Sequence, residues 1–282
     1  MSFHRFRRKA TNAAMLTLTG LCTLIAVGTL VFILGYLFQH GGRSLTWNFF
    51  TKLPAPVGET GGGMANAMLG SAKLLLLASC IGVPIGFLGG VYLAEFGRSA
   101  FSFVVRYTTD LLNGVPSIVI GVFAYTLIVL RQGHFSTLAG GIALGVMMIP
   151  IAIRSSEEFM RAVPLSLREG AMALGASKTK AIFTVVIPAA KEGIITGIML
   201  DLARVAGETA PLLFTSYGNN FWSPGWQHPT AALPVMVYNY AISPYEDWRQ
   251  QAWSAGFVLL MLVLTVNIIA RVILSRRGHV AR

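Results

Sequence analysis

The chain has 282 residues, 54% of them apolar and only 12% charged, with a mean hydropathy of +0.65. Soluble domains carry about 25% charged residues, so this composition excludes a disordered chain, an ordinary nucleic-acid binder and most soluble enzymes. The net charge of +11 then reads as the basic excess of cytoplasmic loops in a multi-span membrane protein, not as a nucleic-acid footprint.

A spanning helix needs about 20 mostly apolar residues, and six stretches supply them. Residues 15–38 carry no charge and follow Arg5, Arg7, Arg8 and Lys9. That flank looks like the start of a secretory signal, but 24 residues exceed an apolar region of about 7–15 and no A-x-A site follows. A retained anchor is expected. Residues 66–94 carry only Lys73, and residues 108–130 only Asp110. In the latter, Pro116 leaves backbone groups without partners and Ser117 offers a hydroxyl to satisfy them. The resulting kink suits the lining of a pathway or plain packing equally. Residues 135–153 and 252–270 are free of charge, whereas residues 187–215 hold Lys191, Glu192, Asp201, Arg204 and Glu208. Cys22 and Cys80 fall inside spans, and His40, His134 and His228 are dispersed. Neither a disulfide framework, a metal site nor a resident cofactor is expected.

With the N-terminus inside, fifteen of the 22 basic residues fall in inner segments and four (Arg43, Lys52, Arg131 and Arg249) in outer loops. Both termini are therefore expected to be cytoplasmic. The outer loops are 39–65 and 216–251, and the latter holds Trp222, Trp226 and Trp248. These rings suit either the docking of a binding protein or an interfacial aromatic belt. Residues 154–186 form a long cytoplasmic loop. Pro164 suits a helix start, residues 166–174 are good helix formers, and Gly175 can end the helix. Such a helix, presenting Met172 and Leu174, can dock in a groove on another protein or lie on the lipid surface. Gly170 and Gly175, followed by Lys178-Thr179, imitate a phosphate-binding loop, but the lysine of that motif must directly follow the second glycine. Any ATP hydrolysis is expected in a separate polypeptide.

Intramembrane ionisable residues mark function by default. At about 100° per residue, Asp201, Arg204 and Glu208 fall within roughly 60° of one another on a continuous helix, as a stripe facing a bundle interior or a water-filled path. Arg204 presents a planar fork suited to an oxyanion. Two ionised carboxylates beside it would repel an anion. Either one is protonated, or Arg204 pairs with Glu208 when the path is closed and exchanges that partner during transport. The gating pair is the preferred reading; a structural ion pair between helices is the alternative. Pro211 adds a bend just beyond the pair.

Two resemblances sharpen this picture. Glu169-Gly170-Ala171, then Gly175 and Val185-x-Ile187-Pro188, resembles in spacing the EAA loop of ABC importer permeases. Gly170, Val185 and Ile187 replace the usual alanine, isoleucine and leucine. The segments ARVAGETAPLLFTS, GVPSIVIGVFAY and ETGGGMANAMLGS together resemble the PstA-type permeases of bacterial phosphate-specific importers, although Thr179 stands where that family usually has an aromatic residue. The resemblance implies an all-α membrane protein with six transmembrane helices, of the type I ABC importer permease kind, in the bacterial inner membrane. It implies that the chain is half of the pathway of an ATP-driven inorganic phosphate importer, with Arg204 and Glu208 as pathway residues and Glu169, Gly170, Ala171 and Gly175 coupling it to the ATPase. The implied partners are a homologous second permease (PstC type), a dimeric cytoplasmic ATPase that binds ATP-Mg, and an extracytoplasmic phosphate-binding protein. The rivals are a permease for another oxyanion, such as molybdate or sulfate, and an ion-coupled secondary transporter using the carboxylates of the fifth span. Secondary transporters usually show two related halves, which the sequence lacks.

Overall fold

Five of the six apolar runs fold as helices long and apolar enough to cross a bilayer, and the sixth is a pair of helices bent by 102°. The computed structural model describes residues 2–43, 45–56, 58, 59, 61–97 and 99–278. Thr60, Arg98 and Arg282 lie outside them, as do the side chains of Arg43, Arg271, Arg276 and Arg277. The described residues form helices, turns and loops without strands.

The first run is α1 (Ser2–Arg43), which leans on the rest only near its end. There Tyr36 meets Trp253 edge-on with ring centroids 5.2 Å apart, and Ser254 Oγ donates to Gly41 O at 3.1 Å. Its remaining apolar surface is exposed, as a lipid-facing helix requires. After the short α2 (Trp47–Thr51) comes α3 (Ala65–Phe96), which packs along α7 (Thr137–Arg161). Small residues set their separation. A Cβ at Gly86 would lie 2.3 Å from the Ala152 Cβ, and one at Gly90 would lie 2.4 Å from the Ser156 Cβ. Without a hydrophobic force between helices in lipid, such close backbone approach is what holds them together.

The third run is where expectation and structure part. Residues 108–130 are not one kinked helix. The chain forms α4 (Ala100–Gly114), turns at Val115–Pro116, and continues as α5 (Ser117–Ala124), a π-helical turn (Tyr125–Val129) and α6 (Leu130–Gln132). Proline disfavours the helical conformation of the residue before it, and Val115 is accordingly extended at φ −71°, ψ 128°. Helix α4 is amphipathic in the sense suited to lipid. Ser102 and Thr109 are buried, whereas Phe101, Phe103, Val104, Tyr107 and Leu111 face outward.

The fourth run also differs: α7 continues past residue 153 to Arg161, so Arg154, Glu157 and Arg161 stand on a helix and not in a loop. Beyond it lie α8 (Leu165–Ala173), α9 (Lys178–Ala181), a π-helical turn (Ile182–Val186), α10 (Ile187–Ala206) and α11 (Ala210–Thr215). The expected single helix over 187–215 is thus two helices with a break at 207–209. Residues 217–232 then cross over α7. Its first free N–H groups, on Thr137 and Leu138, donate to His228 O and Trp226 O, both at 2.9 Å, which satisfies a helix end that would otherwise need water. Helices α12 (Leu233–Ala241) and α13 (Glu246–Gly278) close the fold. Phe49, Met64, Tyr240 and Ala255 form a small core at this end, and Trp248 stacks on Tyr240 at 4.4 Å.

Candidate functional site

The last turn of α10 carries Arg204. The helix stops at Ala206, where the N–H groups of Gly207 and Glu208 bond back to Arg204 O and Val205 O at 3.1 Å. Pro211 stands in the first turn of α11, where its missing N–H costs nothing, so the bend precedes it instead of following it. Glu208 therefore sits in the break and not on a helical stripe. Its Oε1 lies 3.9 Å from Arg204 Nε, with side-chain exposures of 52% for Arg204 and 17% for Glu208. At that distance there is attraction but no hydrogen bond. The pair is loose, and the guanidinium is half exposed at the end of an apolar helix. An irregular backbone there is tolerated where it is buried in protein or lines a water-filled cavity.

Asp201 shares α10 with Arg204, three residues before it, and lies on the buried side of the helix. Gly193 and Gly197 press α10 onto Phe159 and Ser155 of α7, and Asp201 follows one turn later on the buried face. It is 2% exposed, and neither carboxylate oxygen has a hydrogen-bond partner among the described residues. Asp201 and Arg204 both stand on α10, the first packed inward and the second exposed, and what the break removes from the helix is Glu208, whose side chain is 17% exposed.

The helix that Pro116 and Ser117 open packs against α11, which follows the break. A Cβ on Gly121 of α5 would lie 2.7 Å from the Cα of Pro211, so the segment opened by Pro116 and Ser117 is pressed against the segment that follows Glu208. Two motif regions distant in sequence become one site. Pro116 is the residue before α5 and Ser117 its first residue.

A charged cluster that the sequence reading missed lies further along α7. Buried Glu157 accepts from Arg106 Nε at 2.7 Å, and it pairs with Arg161 at 3.0 Å and Arg154 at 3.6 Å. Arg154 Nε also donates to Asp110 at 2.9 Å, and Arg106 donates to Leu93 O and Gly97 O. In the sequence, Arg106, Arg154 and Arg161 read only as basic residues of the inner segments that orient the chain. The available signal was Asp110 inside a span and Glu157 one helical turn from Arg154 and Arg161.

The loop helix appears as expected, as α8 ending in Gly175 at φ +87°, a conformation that glycine adopts without strain. No residue of α8 is buried, and Leu174 is 91% exposed beside Met172 and Leu167. Glu169 and Gly170 are exposed and Ala171 half-buried. A shallow cavity of about 470 Å³ beside them is lined by Gly170, Ala171, Leu174 and Gly175. Helix α8 thus presents apolar side chains at its surface and buries no residue of its own.

Comparison with known proteins places this arrangement. Residues 82–279 match the family model of the binding-protein-dependent transport system inner membrane component. The chain is 42% identical over 273 residues to the phosphate transport system permease protein PstA of Yersinia pestis, covering 96% of this chain and 92% of that one. It is 44% identical over 272 residues to the protein of the same name from Xylella fastidiosa, covering 96% and 94%. Among solved structures it resembles a chain of the MetNI methionine ABC transporter in inward-facing conformations, with a TM-score of 0.60 at 18% identity, covering 76% of this chain and 96% of that chain. A bacterial ABC transporter that imports the acidic polysaccharide alginate gives a TM-score of 0.52 at 15% identity, covering 95% and 98%. These structural likenesses concern the fold.

Proposed function

The chain belongs to the family of binding-protein-dependent transport system inner membrane components, and from that premise we propose that it forms half of the pathway of an ATP-driven inorganic phosphate importer. It is a multi-pass inner-membrane permease and not an enzyme in its own right. The other half is a homologous second permease (PstC type). A dimeric cytoplasmic ATPase holds ATP-Mg and seats α8 in its cleft. An extracytoplasmic phosphate-binding protein delivers the cargo, and both termini of the chain face the cytoplasm.

The observation that carries this reading is the loose Arg204–Glu208 pair at the break in the fifth span. An arginine at membrane depth is costly unless water, a partner chain or an anion meets it. Its fork fits a tetrahedral oxyanion bidentately, and a carboxylate 3.9 Å away can neutralise it when no anion is present. Binding stays weak because Glu208 competes for the same donors, which suits a conduit that must release its cargo. Closure of the ATPase on α8 rotates the helices outward, phosphate passes Arg204, and hydrolysis resets the bundle. Pro116 and Ser117 contribute the corner from which α5 packs against α11, the helix after the break. Asp201 takes no part in the contact with phosphate.

The test of substrate is stimulation of ATPase activity in the reconstituted four-part complex. Phosphate-loaded binding protein is expected to stimulate hydrolysis, and molybdate or sulfate is not. Equal stimulation by another oxyanion would assign the permease to that anion. Uptake by this chain alone under an ion gradient would replace the reading with a secondary transporter.

A further inference from the structure

Helix α8 has almost nothing behind it. None of its residues is buried, and a cavity of about 770 Å³ separates it from the bundle, lined by Glu95, Phe96, Arg161, Arg168, Met172 and Lys178 among others. A helix pushed from outside over an empty space would yield into that space and transmit little. One side chain crosses it. Arg168, on α8, pairs through Nη1 with Glu95 Oε1 at the end of α3, and through Nη2 it donates to Met160 O on α7. Both partners of the ion pair are sheltered, with side-chain exposures of 15% for Arg168 and 5% for Glu95. Lys178, on the far side of the loop, donates to Glu95 O at 2.8 Å and lies 4.2 Å from the centre of the Phe96 ring. The end of α3 is thus gripped from both ends of the α8 segment. Because Gly86 and Gly90 lock α3 to α7, a displacement of Glu95 displaces two packed helices together, and packed helices shift as units instead of deforming continuously.

We propose that Glu95 is a positioning residue that, with Arg168, straps the ATPase-docking helix to α3 and so delivers its motion to the transmembrane bundle. The proposal rests on the reading of α8 as the ATPase-docking helix. Coupling between two distant sites is typically worth a factor of about 5–150, and removal of the strap takes away that factor while leaving both sites intact.

The test uses the complete importer with Glu95→Gln, Arg168→Gln, the double variant and Glu95→Asp. Phosphate moved per ATP hydrolysed is measured alongside yield of assembled complex. A disulfide or short cross-link from Leu174→Cys to the ATPase reports docking. The expected result is a drop of about tenfold in phosphate per ATP for Glu95→Gln, with assembly and cross-link unchanged. The double variant should be no worse than the single ones, and Glu95→Asp should recover part of the ratio. A normal ratio in Glu95→Gln overturns the proposal. So does loss of assembly in both Glu95 variants, which would make the pair a folding contact. Absence of the Leu174→Cys cross-link in the otherwise unaltered chain would instead refute the docking assignment on which the proposal rests.

Discussion

Glu157→Gln tests the charged cluster at the junction of α3, α4 and α7. The wild-type carboxylate is buried and draws in three guanidiniums at 2.7, 3.0 and 3.6 Å. Glutamine keeps the shape and one acceptor oxygen but removes the charge that holds Arg106, Arg154 and Arg161 together. Arg106 is only 23% exposed, so its charge-assisted hydrogen bond falls in the range of about 1.5–3 kcal/mol. Arg154 and Arg161, 32% and 51% exposed, are screened by solvent, and each adds no more than about 0.5 kcal/mol. The expected loss is about 1.5–4 kcal/mol, which lowers the unfolding midpoint by roughly 3–7 °C. Arg106 retains Leu93 O at 2.9 Å and Gly97 O at 3.0 Å, so the fold itself survives. The assay is the temperature at which the detergent-solubilised complex loses its size-exclusion peak. A midpoint within one or two degrees of wild type would refute the claim that this cluster clamps α4 to α7.

Three further perturbations follow from the packing. Gly86→Ala forces a Cβ to within 2.3 Å of Ala152 and should cost about 1–3 kcal/mol; the compensating Ala152→Gly in the same chain should recover most of the lost complex, as measured by the same midpoint. Asp201→Asn keeps a polar side chain of the same shape in the buried site where the carboxylate oxygens lack hydrogen-bond partners, so the complex should assemble with phosphate uptake retained; lost uptake would return Asp201 to the pathway. Leu174→Asp leaves a 91% exposed position folded but should weaken ATPase capture at least about tenfold, since burial of a leucine contributes about 1.5–3 kcal/mol, and Glu169→Arg should weaken it as well. Unchanged capture in both variants would place the ATPase contact elsewhere.

The spans were legible because lipid demands long apolar runs, and the helix at 165–173 was legible because Pro164 and Gly175 punctuate it. The breaks were less so. At Pro116 a proline announced an interruption, but whether it kinks the helix or turns a corner depends on what α4 packs against, and that is decided by Arg106 and Asp110 reaching across to α7. At 207–209 no proline precedes the break, and a helix continued through 215 puts Glu208 on the face of Asp201 and Arg204, which α10 alone carries. A helical wheel gives the direction of a side chain only while the helix lasts. The Glu157 cluster was hidden for a different reason. Arg106 and Glu157 are 51 positions apart, and a basic residue that orients a loop looks the same in sequence as one that ties two helices together. The outward apolar face of α4 likewise inverts the pattern familiar from soluble helices, because its solvent is hydrocarbon.

The central claim is that phosphate passes an arginine held loosely by Glu208 at the break in the fifth span. Its most direct test is initial-rate uptake of radiolabelled phosphate by reconstituted importer carrying Arg204→Ala, with the amount of assembled complex measured in the same vesicles. Arg204 is 52% exposed and its ion contact with Glu208 is as long as 3.9 Å, so assembly should be unchanged while uptake falls to background. Uptake near wild type would contradict the account, and loss of assembly would make the pair a structural contact between helices instead of a gate.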